Sequence, residues 1–128
     1  MLIFEIKGKP IAWKRPGEKK GGGRYDTQKK RKAGFAFECW TQHQVEEMLD
    51  MPLRMVVTCY FDGDLGFDGD YYTSTPDASN LLKFVEDALE GHFYSNDKFI
   101  VDSRCIKRYG PERTVVEIFD AEYKGVEE

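Results

Sequence analysis

Histidine and cysteine are scarce in this chain and poorly spaced for chemistry. Its 128 residues hold two histidines, His43 and His92, and three scattered cysteines, Cys39, Cys59 and Cys105. No CxxC or Cys/His pairing occurs, so neither a zinc site nor a histidine-centred triad is supported. The apolar neighbours of each cysteine predict free, buried thiols. Long apolar runs are missing as well. None approaches the roughly 18 residues of a membrane span, so no membrane partner is expected. Residues 1–10 alternate polar and apolar types without the layout of a signal peptide, which makes a cytoplasmic location the expectation. No internal repeat is visible.

What is present predicts one folded domain over residues 1–128, with 41% hydrophobic and 14% aromatic residues. The net charge of −4 hides an asymmetry. Residues 1–32 carry eleven Lys/Arg against Glu5, Glu18 and Asp26, a balance of +8, while the remainder stands at −12. A basic segment on an acidic protein predicts a polyanion partner, with a solvated arm as the plain alternative. Lys14 and Arg15 stand in an extended stretch. Lys19, Lys20 and Arg24 belong to a flexible glycine-rich loop, residues 17–24, and Tyr25 follows as a base-stacking side chain or a loop anchor. Lys29, Lys30, Arg31 and Lys32 fill the first turns of a helix, where the dipole favours acids, so an anion is expected nearby. An acidic tail closes the chain at 124–128.

Patterning predicts an α+β domain with a mixed β-sheet packed by two main helices. Strands are expected over 2–7, 54–61, 99–109 and 114–123. A proline-free stretch predicts a helix over 27–50, capped by Asp26 or Thr27, with Ala33, Ala36, Phe37, Trp40 and Met48 as its buried stripe. The Asp/Gly loop 62–70 departs from EF-hand order, with Gly66 and Phe67 at its fifth and sixth positions, and reads as a turn-forming connection.

The block from Pro76 to Asp97 gathers the chemistry. Pro76 sets a turn, Asp77 stands where a helix cap belongs, and Gly91 ends the helix. Ala78, Leu81, Leu82, Phe84, Val85, Ala88 and Leu89 cover one broad apolar side. Asn80, Lys83, Asp87 and Glu90 share a narrow polar stripe. Carboxylates with an amide and a lysine suit a hard metal ion beside a phosphate. The plain alternatives are a simple cap for Asp77 and a solvated Lys83–Asp87 ion pair.

The run Pro76-Asp77-x-x-Asn80-x-x-Lys83-x-x-x-Asp87-x-Leu89-x-Gly91, followed by Asn96-Asp97, resembles the RusA family of Holliday junction resolvases. Gly8-Lys9-Pro10, Lys14-Arg15-Pro16, Tyr25 and Lys107-Arg108-Tyr109 extend the resemblance over about residues 3–123. It implies a homodimeric, Mg²⁺-dependent endonuclease of prophage type, cutting four-way or branched DNA in recombination and repair. It also implies a metal site at Asp77 and Asp97 and a lysine needed for cleavage at Lys83, and we expect Asn80 to orient a ligand or water. Ser79 departs from the family pattern, standing where a second carboxylate is usual, and Asn96 replaces the first acid of an Asp-Asp pair. Asp87 or Asp70 is the expected compensation. Two rivals follow: a catalytically weak branched-DNA-binding module, and a nuclease of the same scaffold acting on other branched DNA or flaps.

Overall fold

In a computed structural model of the chain, residues 1–18 and 20–122 are described. Four strands form one mixed sheet: β1 (Leu2–Lys7), β4 (Leu53–Phe61), β5 (Ile100–Tyr109) and β6 (Arg113–Asp120), in the order β1-β6-β4-β5. β6 runs antiparallel to β1 and β4, whereas β4 and β5 are parallel. Two-residue strands β2 (Gly17–Glu18) and β3 (Arg24–Tyr25) make a separate small ribbon. The α+β expectation is met.

One face of the sheet is buried. Register aligns Phe4 with Val116 and Val116 with Val57, so period-two alternation turns these side chains to the same side. On that side helices α1 (Lys29–Gln42) and α2 (Ala78–Leu89) complete the core through Phe35, Ala36, Cys39, Leu81, Phe84 and Leu89. Phe35 meets Phe84 edge-on at 5.6 Å between ring centroids. Cys39 and Cys59 are buried, Cys105 is half-buried, and all three are free thiols. Burial pushes the Cys39 thiol up to about 12.

Two expectations fail at α1. The helix stops at Gln42 instead of reaching 50, and His43 is already extended. Contacts with the second half of the chain replace it: Leu49 N–H donates to Phe93 O, and Asp50 accepts from the Ser95 amide and hydroxyl. The buried face is also rotated. Phe37 is 66% exposed and Met48 42% exposed, and Ala33 lies in solvent. Apolar residues at 33, 35, 36, 37, 39 and 40 spread over about 200° of the helix circumference, wider than one buried face, so periodicity alone does not fix which part of that arc is buried. The last strand ends at Asp120, and residue 123 falls outside the described residues.

Topology fixes the directions that matter. Parallel β4 and β5 require a crossover, and α2 supplies it. The start of α2 therefore lies at the carboxyl ends of both strands, and its end lies where β5 begins. Local bonds agree. Near the end of β5, Lys107 Nζ donates to Ser74 O at 2.7 Å and Pro76 O at 2.9 Å. At the other end, Asp97 N–H donates to a Glu90 carboxylate oxygen at 2.8 Å. The loop 62–70 returns to this frame against Tyr109. A Cβ on Gly66 would come 2.5 Å from that ring, so only glycine fits there.

Candidate active site

Asp77 occupies the capping position of α2, yet its side chain makes no capping bond. The backbone does that work: Asp77 O accepts from Asn80 N–H at 3.1 Å and from Leu81 N–H at 3.2 Å. An exposed carboxylate is thus left uncommitted, on a turn that Lys107 clamps through the Ser74 and Pro76 carbonyls. A plain cap does not account for it.

Lys83 sits one and a half turns further on. Its ammonium stands 3.9 Å from the centroid of the Trp13 ring, an attractive cation–π geometry. Among the described residues it forms no ion pair with Asp87, which instead faces Lys32 at 3.7 Å. Trp13 is held in turn by a strap, residues 12–14. Trp13 N–H donates to Asn80 O at 2.9 Å, so the same helix turn anchors the strap and carries the lysine. Gln28, 3% exposed, pins the strap on both sides of the tryptophan. Its Oε1 accepts from Lys14 N–H at 2.9 Å and its Nε2 donates to Ala12 O at 2.8 Å. Full use of a buried amide is what stability demands. Asp26 supports this arrangement by accepting from Gln28 N–H and pairing with Lys32 at 2.9 Å. The Lys32 hydrogen bond and the Gln28 amide hold its carboxyl below the usual range. Asp26 therefore braces α1 from just outside it, whereas Gln28 is the capping residue.

The far end of α2 is acidic. Asp97 opens a short 3₁₀ turn, Asp97–Phe99, and lies near Glu86, Asp87 and Glu90. Burial, then the charges of Asp97 and Asp87, pushes the Glu86 carboxyl above its usual value. Burial also raises Asp87, against the pull of Lys32 and Lys83. Tyr94, fully buried, ties this end together by donating its hydroxyl to Glu86 O at 2.7 Å.

These positions decide whether one chain can hold a divalent ion at Asp77 and Asp97 together. Magnesium–oxygen bonds near 2.1 Å keep two ligating oxygens within about 4 Å. Twelve residues of α2 separate the two acids, a rise of about 18 Å. A single chain does not bring them to one ion. Among the described residues, no group of three or more His, Cys, Asp and Glu has metal-holding geometry. Asp70 is engaged elsewhere, accepting from Phe67 N–H at 2.9 Å.

Of the basic residues expected on DNA, Lys14, Arg15, Lys20, Arg24, Lys29 and Lys30 are all exposed, while Lys19 lies outside the described residues. The Tyr25 ring packs against Gly17, where a Cβ would come 2.6 Å from it, so Tyr25 anchors the small ribbon. Trp13 and Gln28 are the residues that sequence reasoning missed. An aromatic embedded in a basic stretch was the available signal for Trp13; nothing local distinguished Gln28.

An uncommitted carboxylate, a lysine stacked on an aromatic ring and exposed cations are residue types suited to chemistry on a phosphate ester. The family model described as Endodeoxyribonuclease RusA matches residues 7–119, and the chain belongs to that family. It is accordingly an endodeoxyribonuclease of the Holliday junction resolvase type, a hydrolase. Members depend in general on a divalent metal and bind branched DNA junctions. No individual curated protein matches the chain. No helix among the described residues is long and apolar enough to cross a membrane.

Proposed function

We propose that the chain resolves four-way DNA junctions as a Mg²⁺-dependent homodimer, in recombination and repair within the cytoplasm, with residues 1–128 acting as one unit. Asp77, Asn80, Lys83 and Asp97 are its catalytic group. One observation carries this reading: Asp77 stands free at the start of α2, Lys83 follows further along the same helix, and neither side chain forms an ion pair or a hydrogen bond among the described residues. Because Asp77 and Asp97 occupy opposite ends of α2, the site forms between two copies. Asp77 of one copy meets Asp97 of the other, with Asp87 beside the latter. A two-fold arrangement then yields two equivalent sites, matching the two symmetric strands of a junction.

A divalent ion bound there supplies positive charge to the phosphate and acidifies water. The chain's own residues do the rest. Lys83, oriented by Trp13, neutralises charge developing on the phosphoryl or leaving oxygen. Asn80 orients a ligand or water, and its carbonyl fixes the strap. Lys14, Arg15, Lys19, Lys20, Arg24, Lys29 and Lys30 bind backbone phosphates without reading sequence.

The test is nicking of a synthetic four-way junction with and without Mg²⁺. Cleavage that needs the metal and disappears in Asp77→Asn, with binding retained, supports the reading. Metal-independent cleavage, or undiminished cleavage by that variant, overturns it. A second reading, a branched-DNA-binding module with weak catalysis, draws on Ser79 and on the separation of the acids. It predicts junction binding with no nicking by the unaltered protein.

A further inference from the structure

Beside the Asp77 turn lies a cleft of about 650 Å³ that the catalytic group does not use. Lys9, Lys14 and Arg31 line it, and no carboxylate does. None of these three cations forms an ion pair among the described residues. Like charges gathered around one cavity repel each other until an anion enters. The remaining wall is apolar, with Phe61, Tyr72 and Pro76 prominent in it. The Tyr72 ring stacks on the buried Phe61 ring at 4.4 Å and 14°. A half-buried aromatic ring backed in this way is a rigid platform.

Both walls are formed in advance. Tyr72 N–H donates to Lys107 O at 3.0 Å, and Lys107 Nζ holds the carbonyls on either side of Thr75. The opposite wall is the strap pinned by Gln28 and Asn80. The strap also links the cleft to the catalytic lysine. Ala12 and Lys14 line the cleft, while Trp13 between them touches Lys83. Pro76 lines it too, and Asp77 follows directly in the chain.

Cations around an aromatic floor match a nucleotide: phosphates for the rim, a base for the ring. A volume of this size falls within the usual range for small-ligand sites. A base inside a duplex has both faces covered by its neighbours, so only an unstacked base reaches such a floor. We propose that the cleft is a subsite for one unpaired nucleotide of the strand being cut, with its base on Tyr72 and Pro76 and its phosphates on Lys9, Lys14 and Arg31. This rests on the reading of the chain as a nuclease acting at Asp77.

The experiment measures binding of short labelled strands in EDTA, where no cleavage occurs. Three probes are compared: a pentathymidylate, an abasic phosphodiester of the same length, and free thymidine monophosphate. Stacking predicts that pentathymidylate binds about tenfold tighter than the abasic strand. Tyr72→Ala should bring these two probes to equal affinity, whereas Tyr72→Phe should keep the difference. Equal affinity in the unaltered protein overturns the proposal. Monophosphate binding as tight as pentathymidylate overturns it as well, since the cleft would then serve free nucleotides. Should Tyr72→Ala fail to fold, photocrosslinking of 5-iodouracil strands to the unaltered protein decides. Adducts within residues 9–14 or 72–76, or at Arg31 or Phe61, support the subsite, and adducts confined to other segments reject it. Nicking by Asp77→Asn is read separately with Mg²⁺, so failure of the catalytic reading and failure of the cleft give different results.

Discussion

The two ends of α2 carry opposite chemistry. At its start stand one free carboxylate, Asp77, and, further along the same helix, Lys83 against the Trp13 strap. At its end, Glu86, Asp87, Glu90 and Asp97 lie near one another, and burial followed by the neighbouring carboxylates makes Glu86 costlier to ionise, while burial does the same for Asp87. The first end suits a phosphate but has few metal ligands. The second has ligands but little with which to hold DNA. Each end lacks what the other has, and the crossover that separates them is built into the β4–β5 pairing. The composite site proposed between two copies would resolve this division without moving either end.

The comparison breaks most directly at the carboxylates. Asp77→Asn and Asp97→Asn should each lower nicking by about a thousandfold or more, as expected for lost transition-state stabilisation, while junction affinity stays within about twofold. Mixing the two inactive variants should restore cleavage, because one site of the mixed dimer recovers both acids. If each site lay within one chain, the mixture would remain dead, and nicking assays of the refolded mixture distinguish the outcomes. A smaller effect is expected at Trp13. Trp13→Ala should reduce kcat about tenfold with KM nearly unchanged, by loosening Lys83, and Trp13→Phe should recover part of it. An equal change in KM would assign Trp13 to DNA binding instead.

Removing two cations from the basic end sharpens the contrast further. Lys20→Ala with Arg24→Ala should weaken junction binding severalfold and reduce the slope of log affinity against log salt by about 2. An unchanged slope would place the glycine-rich ribbon off the DNA. The smallest effect concerns stability. Asp26 has its carboxyl held below the usual value, so its contribution is complete above the unfolded pKa and disappears as pH falls through the folded one. Asp26→Asn should therefore lower Tm by a few degrees at pH 7, and the gap should close below about pH 4. Melting curves at the two pH values test the sign.

The legibility of the chain followed the strength of its local signals. α2 was readable end to end because Pro76, Asp77 and Gly91 punctuate it, and its predicted apolar side includes the buried Leu81, Phe84, Val85, Ala88 and Leu89. α1 was readable as a helix but not in length or face. Its end is imposed by Phe93 and Ser95, which are distant in sequence. Candidate site residues were nameable one by one, since residue type and spacing mark them. The separation of Asp77 from Asp97 was not legible, because it follows from which strand β5 joins and in which direction. Lys107 shows the same limit. Its family landmark was visible, but its role in holding the Asp77 turn depends on a contact across 31 positions.

Eight consecutive residues, Pro76 to Lys83, line the cleft, present the free acid, tether the strap and carry the lysine. From Ala78 onward these duties are kept in phase by the helical register of α2. One alanine inserted after Asn80 would swing Lys83 by about 100° while deleting no functional group. The segment is therefore far less tolerant of a change in length than of a change in letter.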